Sequence, residues 1–162
     1  MSEPPRFIFR ILKPEDSRAY RAVRLESLKT FPECFGADYQ AQSQLPKLFF
    51  EQEIETGSRE NIMLGAFADS RLIGLCGLIR PQSDRAEIIQ MYLNPRYQGL
   101  GLGAKLLAEA TEIAQTHLQA KTLSLAVFTH NQQALRTYLK AGFEIVSTQP
   151  ERNEYLMQKK IG

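Results

Sequence analysis

The hydrophobic pattern changes period several times along the chain. Phe7 to Leu12 alternates, which predicts a half-buried strand. Lys13-Pro14-Glu15-Asp16 then opens a helix: proline tolerates the first turn and carboxylates suit its positive end. Ala19, Tyr20, Val23 and Leu28 carry that helix to Phe31-Pro32, and a second short helix is predicted from Pro46 to Glu55. Glu33 to Gln44 between them reads as irregular. Asn61 to Ala68 and Leu72 to Ile79 are β-prone runs joined by Asp69-Ser70-Arg71, a hairpin, and a third strand, Ala86 to Leu93, follows the turn Pro81 to Arg85. Leu106, Ala110, Ile113, Ala114 and Leu118 define the face of the next helix. Thr122 to Phe128 is a buried-strand candidate, Asn131 to Ala141 a helix stopped by Gly142, and Phe143 to Thr148 with Glu154 to Lys160 a last pair of strands. This order predicts a mixed α/β architecture. Three consecutive strands in residues 61 to 93, without a helix between them, argue against a doubly wound sheet.

Between the third strand and its helix lies Gln98-Gly-Leu-Gly-Leu-Gly-Ala104. Glycines let a backbone approach a ligand closely, and a helix start offers unpaired N–H groups and partial positive charge, so the junction suits a phosphate. A P-loop does not fit, because Ala104 stands where its second glycine belongs and Leu106 where its magnesium-binding hydroxyl belongs. The dinucleotide spacing G-x-G-x-x-G/A fits Gly99, Gly101 and Ala104. Its context does not: Asn94-Pro95-Arg96-Tyr97 separates the loop from the strand, and Lys121 to Phe128 lacks the expected acid. A third pattern is Q-x-x-G-x-G on Gln98, Gly101 and Gly103, with Gly99 as an additional loop residue, and the glycines alone fit an ordinary glycine-rich strand-to-helix connection equally well.

Composition narrows the classes further. The chain has 162 residues and 43% hydrophobic content, which suits one domain, 1–162. A formal charge of +2, with no block of either sign, gives no sign of nucleic-acid binding. Cys34 and Cys76 are isolated and His117 and His130 lack ligand spacing, so no disulfide or metal site is expected. No run approaches the roughly 18 apolar residues of a membrane span. The expectation is a soluble, cytoplasmic protein, monomeric or homodimeric, with no membrane partner.

Further downstream, Asn131, Ala134, Tyr138, Gly142 and Phe143 form N-x-x-A-x-x-x-Y-x-x-x-G-F. With Gln98, Gly101 and Gly103, this resembles the GCN5-related N-acetyltransferase (GNAT) family across nearly the whole chain. The resemblance implies a mostly antiparallel central sheet of about seven strands flanked by about four helices, and acetyl-coenzyme A as acyl donor. It implies that Gln98, Gly99, Leu100, Gly101, Leu102, Gly103 and Ala104 hold the pyrophosphate. Met91, Tyr92 and Leu93 would pair with the pantetheine arm, an amide among them serving as oxyanion donor. Asn131 would contact the cofactor, and Tyr138 would protonate its leaving thiolate.

Acetyl transfer also needs a deprotonated amine. A lysine-like amine of pKa roughly 10.4 costs about 4.6 kcal/mol to deprotonate at neutral pH, against about 1 kcal/mol for an α-amine. Glu87, an acid on an otherwise apolar strand, matches the general-base glutamate of GCN5-type enzymes, or else is a salt-bridged residue of the sheet or substrate pocket. Some peptide N-terminal acetyltransferases carry a glutamate five residues before the motif asparagine, where this chain has Ala126. Asn131 also reads as a helix N-cap and Tyr138 as a packed aromatic residue. Thr30 to Tyr39 resembles the acceptor-side loop of small family members, making Phe35 and Tyr39 candidate substrate contacts. The expected activity is direct acetyl transfer to a primary amine of a small molecule or protein. A coenzyme A-binding domain without transfer and, more remotely, a dinucleotide-dependent oxidoreductase stand as alternatives.

Overall fold

The alternating segments meet in one seven-stranded sheet in the computed structural model, which describes residues 3–162. In chain order the strands are β1 (Phe7–Ile11), β2 (Ile62–Ala68), β3 (Arg71–Gln82), β4 (Arg85–Leu93), β5 (Thr122–Phe128), β6 (Glu144–Gln149) and β7 (Glu154–Lys160). Across the sheet they run β1-β2-β3-β4-β5-β7-β6, and every neighbouring pair is antiparallel except β4 and β5. The helices are α1 (Ser17–Thr30), α2 (Tyr39–Ser43), α3 (Phe49–Thr56), α4 (Leu102–Thr116) and α5 (Gln132–Lys140).

Sidedness follows from the period-2 pattern of the meander. On β2, Ile62, Leu64, Ala66 and Ala68 share a core with Leu106, Leu107 and Ala110 of α4. Met63 and Phe67 point the other way, into a second core with Tyr20 of α1 and Phe50 and Ile54 of α3. Both faces of β2 are covered, which explains why its sequence is continuously apolar rather than alternating with polar residues. Leu106 is wholly buried, so truncation to alanine would cost about 2–5 kcal/mol.

Three local features depart from the pattern. Within the segment expected to be irregular, Asp38 accepts a hydrogen bond from the Ala41 amide (3.0 Å) and caps the five-residue α2, too short to show a period. The first helix begins with a separate 3-10 turn at Pro14–Asp16. Strand β3 continues past Pro81 to Gln82, where a register shift against β4 accommodates the proline.

The feature that matters most for function is the divergence of β4 and β5. They pair only at Arg85↔Thr122, Ala86↔Leu123 and Glu87↔Ser124. Beyond Glu87, β4 bulges: Gly77 opposes Ile89 but Leu75 opposes Tyr92, so three steps on β4 match two on β3, and Gln90 takes φ +56°. A bulge bends its strand and increases its twist, here turning β4 away from β5. Gly77 sits against this distortion, where a Cβ would lie 3.0 Å from the Ile89 carbonyl oxygen.

Candidate active site

The wedge between β4 and β5 holds a cavity of about 680 Å³. Residues 88–93 and 125–128 border it from the two strands, and β4 has no strand partner on this side beyond Glu87. Met91, Tyr92 and Leu93 therefore line an open strand edge inside the protein. Unpaired backbone groups there suit an extended, amide-containing ligand.

At the end of β4 the chain prepares a helix N-terminus. Asn94 accepts from the Arg96 amide (2.9 Å), and Gln98 donates from Nε2 to the Leu93 carbonyl (3.3 Å). Gly101, at φ +77°, is the N-cap of α4, and Gly99 has φ +83°. Gly99 is thus required by the backbone and is more than a spare loop residue. Gly103 differs, since it lies in the first turn of α4 without positive φ and a Cβ would meet no atom within 4 Å. No contact within the chain demands glycine there, whereas a phosphate seated on the α4 amides would approach that surface closely. The loop therefore fits a coenzyme A pyrophosphate. Gln98 and Gly103 border the cavity, Leu102 is buried in the core, and Leu100 and Ala104 are exposed.

Tyr138 comes to the same cavity from α5, packed edge-on to Phe143 at 6.0 Å. Burial holds its phenol above the ordinary value, with smaller contributions from Cys76 and Cys34, so it stays in the O–H form that can donate. Asn131 borders the cavity and caps α5, accepting from the Ala134 amide (3.3 Å). Its side-chain NH₂ remains for a ligand. Glu87 lines the opposite strand, one-third exposed and 3.5 Å from Arg85. It sits beside a cation rather than in a wholly apolar setting. Phe35 borders the cavity, whereas half-buried Tyr39 is absent from its lining and lies beneath Lys29, whose Nζ is 5.8 Å from the ring centroid.

Several cavity features were not singled out in the sequence. Helix α1 clamps the bulge of β4: Tyr20 donates to Gln90 Oε1 (2.6 Å), and Tyr92 donates to Glu26 Oε2 (2.9 Å). Between these anchors Arg24 is 7% exposed and reaches the cavity, its guanidinium 5.0 Å over the Phe35 ring. Burial pulls its pKa below the usual arginine value, partly opposed by Tyr20. Glu154 and Arg152 border the cavity from the far side. His130, stacked on Phe128, donates from Nε2 to the Glu33 carbonyl (2.7 Å), tying the loop after α1 to the loop after β5. These residues lie far apart in sequence, and no local motif announces them.

The profile of the "Acetyltransferase (GNAT) family" matches residues 21–143. The chain belongs to the GNAT family of N-acetyltransferases. It is 30% identical over 159 residues to the spermidine N(1)-acetyltransferase of Thermoplasma acidophilum, covering 93% of this chain and 95% of the relative. It is 27% identical over 106 residues to the spermine/spermidine N(1)-acetyltransferase of Bacillus subtilis, covering 60% and 69%. Among solved structures it resembles the PaiA N-acetyltransferase of Thermoplasma acidophilum in complex with coenzyme A, with TM-score 0.79 and 29% identity over 96% of this chain and 99% of that one. The sheet, with seven strands and five helices rather than the four expected, is the GNAT fold. No helix among the described residues is long and apolar enough to cross a membrane.

Proposed function

We propose that this GNAT protein transfers acetyl from acetyl-coenzyme A directly to a primary amine of a small molecule bound beside it. The observation that carries the reading is that one cavity is bordered by Gln98 and Gly103, by the open edge of β4, by Tyr138 and by Glu87. Donor and acceptor can meet there without a covalent enzyme intermediate. Cys76 is buried away from the cavity lining with its thiol pushed up to about 12, and burial also raises Cys34. Neither is poised as a thiolate nucleophile.

In this mechanism the neutral amine attacks the thioester carbonyl, and a backbone amide at Met91 to Leu93 stabilises the oxyanion. Attack forms the C–N bond, and collapse of the tetrahedral intermediate restores the carbonyl and breaks the C–S bond. Tyr138 gives its proton to the departing thiolate, while the proton lost from the amine passes through water to Glu87. The relatives named for spermidine and spermine support an amine of small-molecule size as acceptor.

The test is coenzyme A release with an amine panel, combined with calorimetry against coenzyme A. In Tyr138→Phe, kcat is expected to fall about 100-fold with cofactor affinity retained. Unchanged turnover removes Tyr138 from the chemistry. Tight cofactor binding with no turnover on any amine would instead identify a binding domain.

A further inference from the structure

Arg24 borders the cavity but takes no part in the steps of acetyl transfer. It lies four residues after Tyr20 and three before Ser27, so it shares their face of α1 and faces the bulged segment of β4. Its side chain is more than nine-tenths buried, yet among the described residues it enters no ion pair. Its one side-chain hydrogen bond is a long contact to Ser27 Oγ, 3.5 Å. Among the described residues no fully buried side-chain nitrogen or oxygen lacks a partner, so the remaining guanidinium N–H groups reach accessible space, and Arg24 borders the cavity. The neighbouring carboxylates are engaged: Glu26 accepts from Tyr92, and Glu51 pairs with Arg21 at 2.6 Å.

A buried guanidinium without an anion is costly, and its planar fork matches a carboxylate. Coenzyme A phosphates are poorly placed to fill that role. Their seat at the start of α4 belongs to one face of the sheet, whereas α1 packs on the other through Tyr20 and its core partners. The partner of Arg24 must therefore arrive with the acceptor.

We infer that Arg24 is a specificity residue that binds a carboxylate on the acceptor, so that the acceptor is an amino acid or similar zwitterionic amine rather than a polycationic amine. The inference rests on the transferase reading for the amine, but Arg24 can be tested by binding alone. A polyamine would bring a further positive charge to a guanidinium that lacks a counter-ion. The charged groups lining the cavity give no acidic excess to offset it: Glu87 and Glu154 stand against Arg24 and Arg152. Phe31 and Phe35 border the cavity beside Arg24 and would cover the apolar part of such an acceptor.

Matched pairs that differ only in the carboxylate provide the experiment: lysine with cadaverine, ornithine with putrescine, and phenylalanine with phenethylamine. Spermidine and 2-aminoethylphosphonate complete the panel. Each is titrated into coenzyme A-saturated protein by calorimetry and assayed with acetyl-coenzyme A for thiol release. At least one carboxylated member should bind about tenfold or more tightly than its decarboxylated partner, and Arg24→Met should abolish that difference while leaving cofactor affinity unchanged. Arg24→Lys should restore part of it, because charge returns without the fork. Three results would each overturn the inference: the wild-type protein favouring cadaverine or spermidine, no pair being distinguished, or phosphonate being preferred over every carboxylate. Carboxylate binding through Arg24 without turnover would keep the inference and sink the transferase reading. Turnover of polyamines without carboxylate preference would do the reverse.

Discussion

The two faces of the sheet meet at one cavity but grip it differently. On the face of α4 and α5 the grip is mainly backbone: two glycines at positive φ, the first amides of α4, and the open edge of β4. On the face of α1 and α3 it is side chain: Tyr20 on Gln90, Glu26 on Tyr92, and Arg24 over Phe35. Backbone donors suit a ligand of fixed phosphate and amide groups, because they do not depend on residue identity. Side chains can be exchanged one at a time. A donor shared by many enzymes fits the first arrangement, and an acceptor that varies fits the second.

Gly103→Ala tests the donor face most directly. A Cβ there meets nothing in the protein, and alanine in a helix is favoured over glycine by about 0.5–1 kcal/mol, so the melting temperature should hold or rise. Coenzyme A affinity should fall about tenfold, because the methyl stands where a phosphate would approach. A rise in stability with unchanged affinity would show that the seat lies elsewhere on the loop.

Tyr20→Phe probes the other face and should have a smaller effect on function. Removing the hydroxyl leaves Gln90 Oε1 without its 2.6 Å donor and loosens a residue held at positive φ, costing about 1–3 kcal/mol of stability. The KM for acceptor should rise by about threefold to tenfold, while calorimetry shows little change in coenzyme A affinity. Equal losses for both ligands would mean that the bulge serves the two faces together.

How far the sequence revealed each face follows from the same contrast. Gln98, Gly101, Gly103, Asn131 and Tyr138 fall in two short segments whose spacing reflects one loop and two turns of one helix, so local pattern suffices to single them out. Arg24, Gln90 and Glu154 come from α1, β4 and β7 and meet only through the order of strands in the sheet. The bulge at Gln90 is equally hidden, for nothing about a glutamine in an apolar strand requires φ +56°. Periodicity located every strand, but it carries no information on which strand lies beside which. The insertion of β7 between β5 and β6 and the splay of β4 from β5 are tertiary facts.

Thiol labelling gives a subtler separation of the faces. Cys34 borders the cavity beside Phe35, whereas Cys76 is fully buried with its thiol pushed up to about 12. One thiol should react in the native protein and two after denaturation. A bound acceptor should slow Cys34 labelling about threefold or more, with less protection from coenzyme A alone. Equal protection by both ligands would place the donor against the loop after α1 as well.

The smallest effect is expected from the charges of the α1 region that do have partners. Arg10 donates to Asp16 at 2.8 Å, and Asp16 also accepts from the Lys13 amide at 2.7 Å. The hydrogen bond from Arg10 is the main cause that holds the Asp16 carboxyl below its ordinary value. A carboxylate with a depressed folded-state pKa stabilises the fold above its unfolded value, near 3.9, and loses that contribution as pH falls through the folded value. Arg10 is partly exposed, so screening limits the pair to about 1 kcal/mol or less. Asp16→Asn should therefore lower the melting temperature slightly at neutral pH, by an amount that shrinks as pH falls below about 3.9, with acceptor preference at neutral pH unchanged. If that substitution altered acceptor preference, paired charges outside the cavity would also shape the site, and the unpaired state of Arg24 would lose its special meaning.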